Sequence, residues 1–148
     1  HKLDDMLRHM HRIKYAIREE LKGIPGFQFR RILDEDGDAG NALVLLLDDP
    51  DRVWPFIEAV RAEGIPFGRL YNGQPIYMQP QIFHQRTADP SGFPFNQFDP
   101  PVRYTEDMCP RSIEILTRNV MVTTGTTWTE KDAEDVIRAV KKVAAQVL

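Results

Sequence analysis

The sequence predicts an α+β fold in which a small, mainly antiparallel sheet is packed against helices. Two segments, residues 2–22 and 133–147, repeat apolar side chains at three- and four-residue steps, which is the period of a helix with one buried face. Residues 27–32 alternate apolar with polar side chains, and residues 42–47 are a continuous apolar run, so both are predicted strands. The turn-rich loop of residues 34–41 predicts that these two strands pair as an antiparallel hairpin.

The composition is that of a globular protein with its own core. The 148 residues are 42% apolar and 28% charged, which argues against disorder. A formal charge of -3 gives no basic surplus for a nucleic-acid backbone, and no apolar run approaches the roughly 18 residues that span a membrane. Cys109 is the only cysteine, so no internal disulfide can form. We therefore expect a cytoplasmic protein with neither nucleic-acid nor membrane partners.

The boundaries of the first two helices are predicted from their glycine, proline and capping residues. Gly23 ends the first helix, and carboxylates such as Asp49 precede a second helix at about residues 52–63. Pro55 is expected near its first turn, because a proline deeper in the helix removes a backbone hydrogen bond. Gly64 ends this helix.

The C-terminal part contains two more helices and a strand. Pro110 suits the first position of a helix that runs to about residue 118, and residues 120–122 form a short predicted strand. Thr129 is the predicted cap of the last helix, with Asp132 three residues on as a weak capping box.

The acidic loop between the first two strands superficially resembles a calcium-binding loop. Asp34, Asp36 and Asp38 have suitable spacing, but Ala39 stands where a sharp-turn glycine is needed. Leu45 stands where the closing bidentate glutamate would be. The residues favour an exposed connecting loop.

Few residues indicate catalysis. The sequence has no glycine-rich phosphate loop, no nucleophile elbow and no Cys or His residues with metal-ligand spacing. Cys109 precedes a helical proline, a position more typical of a buried or capping residue, and His84 is the better acid/base candidate. His9 and His11 are two positions apart on the first helix, so they face different directions and are expected to be solvated.

Residues 64–110 are the least regular part of the chain. They contain eight of its eleven prolines and little regular structure beyond a possible strand at about residues 67–71. Loops of this length in compact domains are usually functional or disordered. The many aromatic residues favour an ordered, packed loop, because disordered linkers are poor in them.

Within this interval, residues 64–85 have the side chains expected of a ligand site. The set combines flat apolar faces with phenol, amide and guanidinium groups, as a hydroxylated or anionic small ligand requires. Its members are Arg69, Tyr71, Asn72, Tyr77 and Gln79, with His84 close by. The alternative is that Tyr71 and Tyr77 only pack the loop onto the sheet.

Six segments, in order, resemble the C-terminal part of the DegT/DnrJ/EryC1/StrS family of pyridoxal-phosphate-dependent sugar aminotransferases. They are residues 2–7 (KLDDML), 24–27 (IPGF), 61–66 (RAEGIP), 75–80 (PIYMQP), 109–110 (CP) and 129–136 (TEKDAEDV). The resemblance covers nearly the whole chain and rests on the order and spacing of motifs that are individually weak.

The resemblance implies that two domains of a larger protein have different roles. It implies that residues 1–148 are the C-terminal small domain of a fold-type-I transferase, with the linking helix at about residues 2–22. In that family the small domain closes over a large domain that holds pyridoxal phosphate on a lysine. That lysine is expected upstream, in a homodimeric protein of which this chain is a piece. The small domain would recognise a keto sugar that receives an amino group from glutamate or glutamine.

The resemblance also implies site residues. Tyr77 stands where the family usually has a substrate-facing His, and Gln79 follows it. A phenol keeps a hydrogen bond but not the charge of a histidine near neutral pH. Residues 123–126 replace the family's usual Pro-His turn, so a nucleotide-linked sugar, a free sugar acid and a cyclitol ketone all remain open as substrates.

Two readings from other classes stay open. One is a stand-alone, non-enzymatic α+β module that binds a small ligand or a protein partner through residues 64–85. The other is a purely structural dimerisation domain.

Overall fold

The computed structural model describes residues 2–148, and these form an α+β arrangement as predicted. The described chain divides into two compact units. Residues 2–69 together with 118–148 form the first, which we call the sheet unit. Residues 70–117 form the second, which we call the insert unit.

The sheet unit contains a three-stranded antiparallel sheet. Strands β1 (Phe27–Phe29), β2 (Ala42–Leu47) and β3 (Asn119–Thr123) lie in the order β1-β2-β3. The predicted hairpin is confirmed, with Phe27 opposite Leu47. The first strand is shorter than predicted and ends at Phe29, although the next amide, that of Arg30, still donates to the carbonyl of Val44 at 3.1 Å.

One face of the sheet is fully covered. Along β2 the side chains of Leu43, Leu45 and Leu47 are fully buried, while the residues between them are only partly buried. The continuous apolar run therefore forms a strand with one fully buried and one partly buried face. Three helices, together with Phe67, supply the rest of the core: α1 (Lys2–Leu21), α2 (Val53–Ala62) and α5 (Glu130–Val147).

The predicted cap is confirmed at α5, whereas at α2 the predicted carboxylate caps the turn before the helix and Arg52, at the start of α2, makes no side-chain cap bond. A 3-10 turn, Pro50–Arg52, precedes α2 and is capped by Asp49, whose carboxylate accepts from the amide of Asp51 at 2.9 Å. Thr129 and Asp132 form the capping box of α5, in which the Asp132 carboxylate accepts from the Thr129 amide at 2.6 Å. These reciprocal bonds satisfy backbone donors that the first turn of a helix leaves unpaired.

The predicted strand at residues 67–71 is wrong. Gly68 alone pairs with β3, exchanging two backbone hydrogen bonds with Met121 at 2.8 and 2.9 Å. The insert unit then begins with a 3-10 turn at Leu70–Gly73, in which Tyr71 and Asn72 have left-handed backbone angles, unlike those of a regular strand.

The insert unit consists of short helical turns joined by proline-rich loops. Its elements are 3-10 turns at Ile76–Met78 and Phe95–Gln97, the single turn α3 (Pro80–Phe83) and α4 (Pro110–Thr117). Side chains tie distant parts of this unit together, as where the Gln85 amide donates to the carbonyl of Val102 at 2.6 Å. Across residues 2–148, no helix combines the length and the apolar character that a membrane crossing requires.

Candidate functional site

The six candidate ligand residues fall into both units. Arg69 is the last residue of the first of the two segments that form the sheet unit, and the other five belong to the insert unit. The five are Tyr71, Asn72, Tyr77, Gln79 and His84.

Tyr71 and Asn72 stand out by their backbone conformation. Their φ/ψ angles are 49°/35° and 55°/25°, so two consecutive non-glycine residues occupy the left-handed region. Asparagine tolerates this region, but tyrosine seldom adopts it, so the strain falls mainly on Tyr71 and amounts to about 1–3 kcal/mol. The Tyr71 carbonyl accepts from the amide of Gln74 at 3.1 Å, which closes the turn. Both side chains are exposed, with the Tyr71 side chain 48% accessible.

Tyr77 has a different environment. Its side chain is only 8% exposed, and its hydroxyl donates a hydrogen bond of 2.9 Å to the carbonyl of Glu106. This bond joins the 3-10 turn Ile76–Met78 to a segment 29 residues later in the insert unit. The phenol proton is therefore used within the protein, and only the oxygen lone pairs remain for a ligand.

Gln79 and His84 lie at the two ends of α3. Gln79 is partly buried, and its carbonyl accepts from the amides of Ile82 and Phe83, each at 2.9 Å. His84 is exposed at the C-terminal end of the turn, with its ring edge-on to that of Phe83 at a centroid distance of 5.3 Å. One turn of helix thus separates two polar side chains that are both at least partly accessible.

Arg69 packs against an aromatic ring that sequence reasoning did not select. Its guanidinium carbon lies 5.7 Å from the centroid of the Trp54 ring, within the range of a cation–π interaction. Trp54 is on α2, and half of its side chain surface is exposed. Burial lowers the pKa of Arg69 below its ordinary value, although an arginine stays charged in proteins.

The structure contains a buried lysine that the sequence analysis did not single out. Lys14 of α1 is 2% exposed, and its ammonium pairs with the carboxylate of Asp38, which is 10% exposed. A signal was present in the sequence, since Lys14 lies four residues after Met10 and three before Ile17, within the apolar stripe of α1. A charged side chain at such a position requires a buried partner.

The loop of residues 34–41 uses its acidic side chains within the protein. The Asp34 carboxylate accepts from the amide of Gly37 at 3.1 Å, and Asp38 binds Lys14. Burial alone would raise the pKa of Asp38, but the hydrogen bond and charge of Lys14 and the amide of Gly40 together lower it. Within residues 2–148, no three His, Cys, Asp or Glu side chains are grouped as metal ligands.

The expectation that His9 and His11 are simply solvated is wrong. Nε2 of His9 lies 2.7 Å from the carbonyl of Trp128, and Nε2 of His11 lies 3.0 Å from the carbonyl of Glu35. Both rings are partly buried. Each histidine links α1 to a different loop, because the two side chains face different directions.

The fold and these side chains together define an α+β protein with an antiparallel three-stranded sheet and an irregular, aromatic insert. The accessible polar side chains of that insert are its main candidate contacts for a ligand. No protein-family model matches the chain.

Proposed function

We propose that this chain is the substrate-recognition small domain of a pyridoxal-phosphate-dependent aminotransferase that resembles the DegT/DnrJ/EryC1/StrS family. The whole protein would move an amino group from glutamate or glutamine to a keto sugar or a related ketone. The order of the family-like segments supports this proposal, since they coincide with element boundaries. Residues 61–66 span the end of α2 and residues 129–136 open α5.

The observation that carries the proposal is the Tyr71–Asn72 turn. Strained backbone persists where the surrounding structure holds it, and such residues are concentrated at functional sites. Here the strain presents a phenol and an amide to solvent. A keto sugar offers several hydroxyl groups, and amide and phenol groups can both donate and accept hydrogen bonds to them.

The lysines of this chain do not suit the role of a cofactor-binding residue. Lys14 is buried in its ion pair with Asp38. Lys131, Lys141 and Lys142 are exposed on α5, Lys22 is exposed in the turn after α1, and all four pair with carboxylates. Lys2 is exposed at the start of α1. In this proposal, pyridoxal phosphate and its chemistry therefore belong to a large domain upstream. This chain binds and orients the ketone.

In this proposal, some residues of the insert unit contact the ligand directly and another holds the unit in place. Tyr71 and Asn72 contact the sugar hydroxyls, and the accessible ring of His84 and the amide of Gln79 extend the polar surface. Tyr77 acts by holding the segment around Glu106 in place, because its hydroxyl proton is already donated. Arg69 belongs to the sheet unit, so its contact with a ligand stays a prediction.

The direct test uses the full encoded protein. Purified with pyridoxal phosphate, it should acquire the absorption band of the bound cofactor and transfer the amino group of glutamate or glutamine to at least one member of a panel of keto sugars and cyclitol ketones. The sequence encoded before His1 should contain the large domain and its lysine. A protein with neither the band nor the transfer activity would favour the stand-alone binding module instead.

A further inference from the structure

A cleft of about 610 Å³ lies within the sheet unit, between α1 and the loop of residues 34–41. Its volume is within the roughly 300–1,000 Å³ typical of small-molecule sites. The side chains of α1 that line it are Leu7, Arg8, His11 and Arg12. The opposite wall is the segment from Asp36 to Ala39. None of these residues belongs to the candidate site in the insert unit.

The two walls of the cleft are fixed relative to each other by several contacts. The buried pair of Lys14 and Asp38 joins α1 to the loop, and Arg18 of α1 pairs with Glu35 at 3.1 Å. The backbone at Gly40 is so close to α1 that a Cβ there would lie 2.5 Å from the amide nitrogen of His11. A preformed cleft of this kind requires little ordering when a ligand binds.

The lining includes one flat aromatic surface. The His11 ring stacks on that of Tyr15, with centroids 4.0 Å apart and an interplanar angle of 18°. Its Nε2 atom is also held by the carbonyl of Glu35, so the orientation of the ring is set. Leu7 and Ala39 add apolar surface beside it. A planar apolar group is therefore the natural occupant of the centre.

The rims of the cleft have opposite charges. Arg8 and Arg12 stand on the α1 wall and Asp36 on the loop wall. Arg8 pairs with Asp5 and Arg12 with Glu130, but these side chains are 61–70% exposed. Exposed pairs are weak, and each guanidinium has donors for a further carboxylate. The separation of charge across the cleft suits a ligand with an anionic and a cationic end.

We propose that this cleft binds an aromatic α-amino acid as its zwitterion. The ring of the ligand lies against His11 and Leu7, the carboxylate faces Arg8 and Arg12, and the ammonium group faces Asp36. The site is separate from the proposed keto-sugar site and does not depend on the aminotransferase proposal.

Isothermal titration of the full-length protein with L-phenylalanine and L-tyrosine tests the proposal. Both should bind, whereas L-alanine, 3-phenylpropionate and phenethylamine, which lack the ring, the ammonium and the carboxylate respectively, should each bind at least tenfold more weakly. Ala39→Trp fills the cleft and should abolish binding. Ala62→Trp, at the exposed end of α2, is the matched control and should retain it.

A milder variant keeps the test decisive if Ala39→Trp fails to fold. Asp36→Asn changes one exposed side chain and should weaken L-phenylalanine binding about tenfold while leaving the weak binding of 3-phenylpropionate unchanged. Absence of L-phenylalanine binding to the wild-type protein would overturn the proposal. Equal affinity in the wild-type and Asp36→Asn proteins would overturn it too, because an amino acid bound only at a cofactor site would give that result.

Discussion

The ammonium of Lys14 and the carboxylate of Asp38 form a buried ion pair that joins α1 to the loop between β1 and β2, 24 residues later in the chain. Thr124 extends this connection to β3, since its hydroxyl donates to the carbonyl of Gly40 and its amide donates to the carbonyl of Asn41 at 3.1 Å. The buried pair and the two Thr124 bonds thus fix the position of a loop in which residues 33–37 are solvent-exposed.

Breaking this ion pair should destabilise the protein strongly. Asp38→Ala leaves the buried ammonium of Lys14 without its counterion, so the free energy of unfolding should fall by about 3–5 kcal/mol. The double variant Lys14→Met with Asp38→Leu removes both charges and should recover most of that loss. Urea denaturation measures both effects. A loss below about 1 kcal/mol for Asp38→Ala, the range of exposed pairs, would contradict the burial of the pair.

The same pair should make stability depend on pH in acid. The pKa of Asp38 is lower in the folded protein than its ordinary value of 3.8, so the unfolded chain binds the proton more readily. The stabilisation is therefore complete above that value and is lost as the pH falls through the folded pKa. Asp38→Asn should flatten the decline of unfolding free energy below that value.

Asp135 offers a matched comparison for the acid titration. The hydrogen bonds of Lys131 and Arg138 lower its pKa as well, but this carboxylate lies at the surface. Solvent and salt screen such pairs, so Asp135→Asn should change the acid slope less than Asp38→Asn. Equal effects of the two substitutions would contradict the special role of the buried pair.

Alanine substitutions at Gly23 and Gly40 allow the cost of backbone strain to be compared with the cost of a steric clash. Gly23 and Gly40 have φ angles of 81° and 72°, but a Cβ at Gly23 meets no atom within 4 Å, whereas one at Gly40 falls 2.5–2.7 Å from the backbone of Met10 and His11. Gly23→Ala should reduce stability by about 1–2 kcal/mol. Gly40→Ala should lose about 1–3 kcal/mol more, because α1 must move away from the loop. Thermal unfolding of both variants should rank them in this order, and similar losses would argue against the close approach.

The cap of α5 should contribute a smaller and well-defined amount. Thr129→Ala removes the hydroxyl that accepts from the Asp132 amide and should reduce the free energy of unfolding by about 1 kcal/mol. Thr126→Ala, three residues earlier and exposed in the same loop, is the control and should be nearly neutral. Chemical denaturation of the two variants gives the difference, and an equal loss would remove the cap as its cause.

Strongly periodic segments were predicted well because their structure depends on local pattern. The stripes of α1 and α5 and the capping box at Thr129 all appear where the sequence places them. The strand predicted at residues 67–71 was wrong because only Gly68 finds a pairing partner. In the insert unit, prolines and side-chain bonds such as that of Tyr77 to Glu106 decide the backbone path, and neither has a periodic signature.

The candidate site was predicted only in outline. The sequence selects the polar aromatic set, but it gives no means of separating exposed Tyr71 from buried Tyr77, since both are tyrosines in the same proline-rich segment. Burial of Tyr77 depends on a carbonyl 29 residues later. The pairing of Lys14 with Asp38 depends likewise on the path of a loop, which periodicity does not describe.

The kinetics of Asn72 variants of the full-length protein test the central claim, the proposed role of the Tyr71–Asn72 turn in substrate recognition, most directly. Asn72→Gly removes the amide while still allowing the left-handed backbone, so the KM for the keto sugar should rise about tenfold, equivalent to ~1.4 kcal/mol, with kcat retained. Asn72→Asp retains an acceptor and should have a smaller effect, and Gln74→Ala, an exposed neighbour, should have none. A KM for Asn72→Gly equal to that of the Gln74→Ala control would contradict the assignment of this turn to substrate recognition.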